Sequence, residues 1–298
     1  MTSSSPSARS TPPLSGSRML VALAHPDDES FGLGGTLALY ARRGVEIHLV
    51  MGTRGEAGTV AAEFLQDGRT VPELRLAELD CAAKTLGLGG VSFLGFRDSG
   101  MAGSDDNRRP DALAAAPVEE VAARMVRALR TVRPHVVLTH DPRGGYGHPD
   151  HIAMHRGTLR AFHLAAQPDF LPEAGPPHAA AKLYYQIFGR TWLRRVMWLL
   201  PLFGMNPRRF GRNKDMDLTE ITSVEYPAHA RLDIQSVLDV KRAAGACHAS
   251  QQMPSVRGPL AFILRPSAGW ESYFRAHPGA PLDLHETDLF QGVDLSAA

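Results

Sequence analysis

From Met19 onward, apolar and polar positions alternate between two patterns. MLVALA (19–24) is an unbroken apolar run of strand length, as in a strand covered on both faces. VEIHLVMGT (45–53), VSFLGF (91–96) and HVVLTH (135–140) predict three more strands. Helical periodicity fills the gaps. One helix is expected at about 33–43, closed by Gly44, and another at 72–87, with Pro72 in its first turn and Gly87 as its stop. Two more are expected at 117–132 and, after a glycine-rich loop, at 151–165. Beyond Gln167 the pattern weakens. KLYYQIF (182–188) and SVEYPA (223–228) predict strands, and residues 233–251 predict a helix by composition.

Strands alternating with helices imply βαβ units. The expected fold is therefore α/β, with a Rossmann-like, mostly parallel sheet, helices on both faces and a C-terminal elaboration. Residues 1–17, rich in Ser and Pro, are expected to be a disordered tail. Residues 18–298 are expected to form a single domain, with its core at 18–165 and the elaboration at 166–298. The tail lacks the apolar stretch of a secretory signal. The longest apolar run, VMWLLPLFGM (196–205), is too short for a bilayer and is interrupted by Pro201.

Composition adds a few bounds. Of 298 residues, 44% are hydrophobic and 21% charged, enough for a real core. A net charge of +1 gives no reason to expect nucleic acid or a membrane as partner. Cys81 and Cys247 are too few for a disulfide framework or a cysteine-rich zinc site, and their Ala-rich surroundings predict plain burial. A cytoplasmic location is the expectation.

Two stretches carry chemistry, AHPDDE (24–29) and DPRGGYGHPDH (141–151). A lone His-Pro-Asp turn is ordinarily a capping feature. Here two such clusters follow predicted parallel strands, at the edge where open α/β sheets bind ligands. His25 and Asp28 are three apart and can face one point; His148 and His151 repeat the spacing. A catalytic zinc takes three N/O protein ligands and keeps one position for water. His25, Asp28 and one histidine of the second pair supply that set, and the spacing leaves open which one. Asp27, between two ligands yet pointing elsewhere, is the candidate general base, and the remaining histidine the candidate proton donor. Asp150 is expected to orient that histidine. A His/His/Asp set accepts Zn2+ and also Fe2+. The glycines of FGLGGT (31–36) do not complete a dinucleotide fingerprint, because Leu37 stands where the third glycine is needed. They are expected to let the first helix pack closely on the sheet.

These two stretches, with TRGEAG (53–58), RLAEL (75–79) and RDSGM (97–101), resemble the LmbE/PIG-L superfamily of zinc-dependent N-acetylglucosaminyl deacetylases. The resemblance covers about 18–165 and is looser beyond, where KLYY (182–185) and KRAAGACHASQ (241–251) look familial. It implies a Rossmann-like fold and one catalytic zinc, with His25, Asp28 and His151 as ligands. It implies Asp27 as general base, His148 as general acid and oxyanion partner, and Tyr146 as the tyrosine that polarises the amide carbonyl. Arg75 is then expected to face the aglycone, Asp98 to accept a sugar hydroxyl, and Glu56 to brace the metal loop on the substrate side. The implied reaction hydrolyses the acetamide of a small N-acetylglucosaminyl conjugate. The conjugate would be of the GlcNAc-malate (bacillithiol) or GlcNAc-inositol (mycothiol) type. An amidase of thiol S-conjugates is the nearest rival, a metal-binding member without turnover or a dinucleotide oxidoreductase the more distant ones. Residues 190–215 mix apolar side chains, Trp192 and Trp198 among them, with arginines. They are expected to be a buried insertion or a homo-oligomer contact, with a substrate lid or interfacial membrane attachment as alternatives.

Overall fold

Strand β1 (Arg18–Leu23) is buried at every position but its first, and the alternation of its side chains divides the core in two. Met19, Val21 and Leu23 pack on one side of the sheet, Leu20 and Ala22 on the other. A computed structural model of the chain describes residues 13–187, 197, 200–203, 206–208, 219, 224–251 and 269–296. The expected segment 190–215 lies mostly outside these residues. Among them the strands form one seven-stranded sheet. β2 (Glu46–Met51), β3 (Gly90–Phe93), β4 (Val136–Thr139) and β5 (Lys182–Ile187) run parallel with β1 in the order β3-β2-β1-β4-β5. Two antiparallel strands extend it, β6 (Ala230–Asp233) at the edge and β7 (Trp270–His277) between β6 and β5.

Five longer helices cover the sheet among the described residues: α1 (Asp28–Arg42), α2 (Val71–Leu86), α3 (Val118–Val132), α4 (Pro149–Leu164) and α5 (Leu238–Cys247). α1, α2 and α5 pack together on one face, α3 and α4 on the other. Strand order reverses at β1, with β2 on one side and β4 on the other, so the carboxyl ends of β1 and β4 form the switch point where such sheets open a crevice.

The α/β sheet stands as expected, with four local corrections. α1 begins at Asp28, five residues earlier than its periodicity predicts, because the glycines that blur the pattern are there for contact. A Cβ on Gly32 would lie 2.4 Å from Gln186 of β5, and one on Gly35 2.4 Å from Ile234. The strand expected at 223–228 lies instead at Ala230–Asp233. β7 has no counterpart in the sequence reading, because its period is broken by a buried acid: Glu271 accepts the N–H groups of Gly35 and Thr36 at 3.0 and 2.7 Å and pairs with Lys241 at 2.6 Å. Leu14, expected within the disordered tail, is instead buried in the core, and its N–H donates to the Arg43 carbonyl at 2.7 Å.

The cysteines also differ from expectation. Cys81 on α2 and Cys247 at the end of α5 are joined in a disulfide across 166 residues of sequence. Neither is a plain core residue, Cys81 being exposed and Cys247 half-buried. No helix among the described residues is long and apolar enough to cross a membrane.

Closing so long a loop stabilises the fold by restricting the unfolded chain, by about 2–5 kcal/mol. Treatment with a dithiol reductant, or the Cys81→Ser/Cys247→Ser pair of changes, is expected to lower the melting temperature. An unchanged melting temperature on reduction would show that the two thiols are not linked in solution.

Candidate metal and catalytic site

The loops after β1, β2, β3 and β4 all reach the same edge of the sheet. The first sets the geometry. Just past β1 the chain turns into α1, the His25 carbonyl accepting the Asp28 N–H at 3.2 Å and the Asp28 carboxylate accepting the His25 N–H at 2.9 Å. His25 and Asp28 are thereby held side by side. Between them Asp27 stands at φ 122°, ψ −28°, a left-handed conformation costly for a residue with a Cβ. Asp27 occupies the N-cap of α1 but makes no side-chain cap. Its carboxylate meets Arg75 Nη2 at 3.1 Å instead.

The loop after β4 brings the second pair. His151 Nε2 lies 3.3 Å from His25 Nδ1 and 3.3 Å from Asp28 Oδ1, and His25 Nδ1 lies 3.7 Å from Asp28 Oδ2. A tetrahedral ion with bonds of about 2.0–2.1 Å needs ligand atoms roughly 3.3–3.4 Å apart. His151 Nε2 stands at that distance from both neighbours, and Asp28, which faces His151 and His25 with different oxygens, closes the three side chains around one point. His25 uses its other nitrogen, Nε2, to donate to Asp150 Oδ2 at 3.0 Å, so Nδ1 is the nitrogen that faces His151 and Asp28 and would carry the lone pair for an ion once its proton is lost. A carboxylate behind a histidine in this way is the usual support of a metal-bound imidazole.

His148 is placed differently. Its Nδ1 accepts the Asp150 N–H at 3.2 Å, so the ring's proton sits on Nε2. A nitrogen that carries a proton is a donor and has no lone pair for a metal. The two histidines that spacing alone could not tell apart thus differ in this contact, though His148 and His151 both stand close enough to His25 to share an ion with it. His140, at the end of β4, is a further member of the cluster that sequence reasoning passed over. It stacks on His151 with ring centroids 3.9 Å apart, but its Nε2 already accepts the Ala24 N–H at 3.1 Å. Its position at the carboxyl end of a predicted strand was the available signal.

Burial and charge set the protonation states. Burial works against a charged His25, but the carboxylates of Asp98, Asp150 and Asp28 outweigh it and hold the imidazole well above its ordinary value. Burial also pushes the Asp27 carboxyl up to about 7, against the pull of Arg75. Asp28 goes the other way: burial is overcome by His151, His140 and His25, and the carboxyl stays ionised far below the usual range. Burial and the neighbouring His25 and His151 keep His148 neutral. Burial and the charges of Asp28 and Asp27 keep Tyr146 a protonated phenol, its ring 5.2 Å from His151 and 5.9 Å from His148.

Several expected roles change with these contacts. Asp150 does not turn its carboxylate to His148. Those oxygens are occupied by His25 Nε2 and by the N–H and hydroxyl of Ser99, and Asp150 orients His148 through its backbone N–H. Arg75 is only 4% exposed and is no free aglycone contact; its guanidinium donates to the carbonyls of Gly55 and Pro26 as well as to Asp27. Asp98 is buried too, accepting the N–H groups of Gly100 and Ala57 at 2.8 and 3.3 Å, with Oδ1 3.5 Å from His25 Nε2. Glu56 accepts the Asp98 N–H at 3.0 Å and so braces the loop that carries Asp98.

A family model described as PIG-L, GlcNAc-PI de-N-acetylase, matches residues 20–162. The chain is 39% identical over 293 residues to the 1D-myo-inositol 2-acetamido-2-deoxy-alpha-D-glucopyranoside deacetylase of Streptomyces avermitilis, across 93% of this chain and 97% of that one. It is 36% identical over 301 residues to the deacetylase of the same name from Rhodococcus opacus, across 93% and 98%. Among solved structures, N,N'-diacetylchitobiose deacetylase from Pyrococcus horikoshii superposes with a TM-score of 0.58 at 18% identity, over 87% of this chain and 83% of that one. A conserved protein of Thermus thermophilus does so with a TM-score of 0.57 at 24% identity, over 88% and 96%. At those identities the structural likeness is one of fold.

Removing one ligand should cost the metal, and removing the donor should not. His151→Ala is expected to abolish stoichiometric Zn2+ binding and His148→Ala to keep it, as read by metal analysis after dialysis; the reverse pattern would exchange their roles. Metal binding should also release protons, because His25 must give one up and a nearby cation favours ionised Asp27. Below about pH 7 the free Asp27 carboxyl holds its proton, and His25 holds its own above the ordinary imidazole range. Affinity should therefore climb as pH rises through this range and level off once both protons are gone. Calorimetry in two buffers of different ionisation enthalpy measures the release; a pH-independent affinity would contradict the assigned charge states.

Proposed function

Because the chain belongs to the PIG-L/LmbE family of deacetylases, we propose that it hydrolyses the acetamide of an N-acetylglucosaminyl inositol. The products would be acetate and the free amine. The observation that carries the substrate is the 39% identity, along nearly the whole of both chains, to a deacetylase named for that compound. The malate aglycone loses its argument, because the arginine expected to meet its carboxylates is buried against Asp27. A small sugar conjugate as substrate and a cytoplasmic location belong to the same reading.

His25 Nδ1, Asp28 and His151 Nε2 would hold the ion, Zn2+ by preference, with Fe2+ suited to the same donors. Bound there, a divalent cation supplies Lewis acidity, polarising a carbonyl oxygen and lowering the pKa of a water molecule. The remaining work falls to the chain. Asp27, raised to about 7, is matched to accept a proton from water near neutral pH. The hydroxide oxygen bonds to the acetamide carbon, and the carbonyl electron pair moves onto oxygen. His148 Nε2–H and the Tyr146 hydroxyl are the two donors available to that oxyanion. When the oxyanion collapses, the C–N bond breaks and the amine nitrogen needs a proton. A neutral His148 has a single ring proton, already used as a hydrogen-bond donor, so the proton comes from Asp27, which took it from water. The role of general acid expected for His148 thus passes to Asp27 in this reading.

Asp27→Asn is expected to retain metal while lowering kcat for amine release from GlcNAc-inositol by about 10²–10⁴-fold. His148→Ala should cost about 10²–10³-fold, the usual loss of one oxyanion donor. Amine release is read by fluorescamine on zinc-restored protein, with GlcNAc-malate run in parallel. Release from the malate conjugate alone would overturn the aglycone, and full activity in Asp27→Asn would remove it as the base.

A further inference from the structure

The proposed base occupies an unfavourable conformation, and two residues that the mechanism does not use hold it there. Glu29, in the first turn of α1, accepts the Asp27 N–H through Oε2 at 3.0 Å. Its other oxygen, Oε1, accepts the Ser30 hydroxyl at 2.5 Å and His248 Nε2–H at 2.6 Å. The Glu29 and His248 side chains are both 0% exposed. His248 follows α5 and lies 219 residues from Glu29 in sequence. The same short stretch reaches α2: the N–H and hydroxyl of Ser250 donate to Glu78 at 2.7 Å each. Glu78 lies one turn beyond Arg75, whose guanidinium holds the Asp27 carboxylate. The Cys81–Cys247 disulfide closes this corner immediately before His248.

We infer that Glu29 and His248 are positioning residues for the base. The inference rests on the proposed role of Asp27. A backbone held at φ 122° needs a partner that prefers that geometry, and a buried carboxylate facing the Asp27 amide supplies it. That turn lets His25 and Asp28 converge with His151 while the carboxylate between them meets Arg75. Glu29 accepts three donors with its two oxygens, and His248 keeps the acceptor pointed at Asp27 by satisfying the far side. Without His248 only the Ser30 hydroxyl is left on Oε1, and the carboxylate can turn toward it and away from the Asp27 amide. A displacement of the base by an ångström is enough to cost about 10²-fold in rate with no change in the ligands.

The test uses the full chain restored with zinc and amine release from GlcNAc-inositol. His248→Leu removes the donor at similar volume; His248→Gln keeps an N–H near the Nε2 position. Glu29→Gln places an NH2 group against one of its donors and serves as the second probe should His248→Leu not fold. Expected for His248→Leu and Glu29→Gln is a fall in kcat of at least about tenfold, with KM and zinc stoichiometry unchanged, and substantial recovery in His248→Gln. Equal losses in His248→Leu and His248→Gln, or a kcat for folded, zinc-loaded His248→Leu or Glu29→Gln within about twofold of the unmutated chain, would overturn the positioning role. A parallel loss of zinc or rise in KM would also overturn it, marking the pair as part of the general scaffold. No turnover by the unmutated chain would sink the proposed function first, and the positioning role with it, since no base would remain to position.

Discussion

Acids and imidazoles are crowded together behind the carboxyl edge of the sheet with little water to screen them, and sharing out their charge is the constraint on which the site depends. Asp28, Asp98, Asp150, His25, His148 and His151 all converge there, most of them less than a tenth exposed. Buried carboxylates are costly unless paired or hydrogen-bonded. In the metal-free chain His25 answers by holding a proton, and backbone N–H groups of Ser99, Gly100 and Ala57 take up much of the rest. A divalent cation among His25, Asp28 and His151 meets the same need with more charge. The same surroundings push adjacent carboxyls apart. Asp28, beside three imidazoles, stays ionised, while Asp27, buried beside it, is pushed up to about 7. Neighbouring carboxyls driven in opposite directions are the physical basis on which Asp28 is proposed as a ligand and Asp27 as the base.

The C-terminal third of the chain does more than extend the sheet. α1 carries Asp28 in its first turn, so whatever fixes α1 fixes that carboxylate in the proposed ligand set. Glu271 on β7 holds the Gly35 and Thr36 amides in the middle of that helix. Tyr40, near its end, donates to Asp288 at 2.8 Å and accepts the Leu289 N–H at 2.6 Å. Glu286 gathers Lys182, Tyr184 and Arg275, tying the terminal segment to β5 and β7. The elaboration is thus a clamp on the helix that presents the site, and its buried charges are compensated within it.

The chemistry was legible in the sequence wherever it depends on neighbours in the chain. The three-residue spacings of His25 with Asp28 and of His148 with His151 are local, as is the strand-then-loop pattern that puts both at one sheet edge. What distinguishes the two histidines of the second pair was not legible, because it is a single hydrogen bond from the Asp150 N–H to His148 Nδ1. Arg75, expected to face the aglycone, was not legible as the partner of Asp27, because nothing in its periodicity records the bend that brings Asp27 against it, 48 positions away.

By itself, then, the sequence determined the α/β alternation, the two motifs and the residue types able to hold a metal and move a proton, since each follows from backbone period and short-range spacing. Only the tertiary structure decided the partners. It set Asp150 behind His25 across 125 residues, Cys81 against Cys247 across 166, and His248 behind Glu29 across 219. Contacts between segments so far apart leave no local periodicity. They arise when the sheet closes and burial forces each polar group to find a partner.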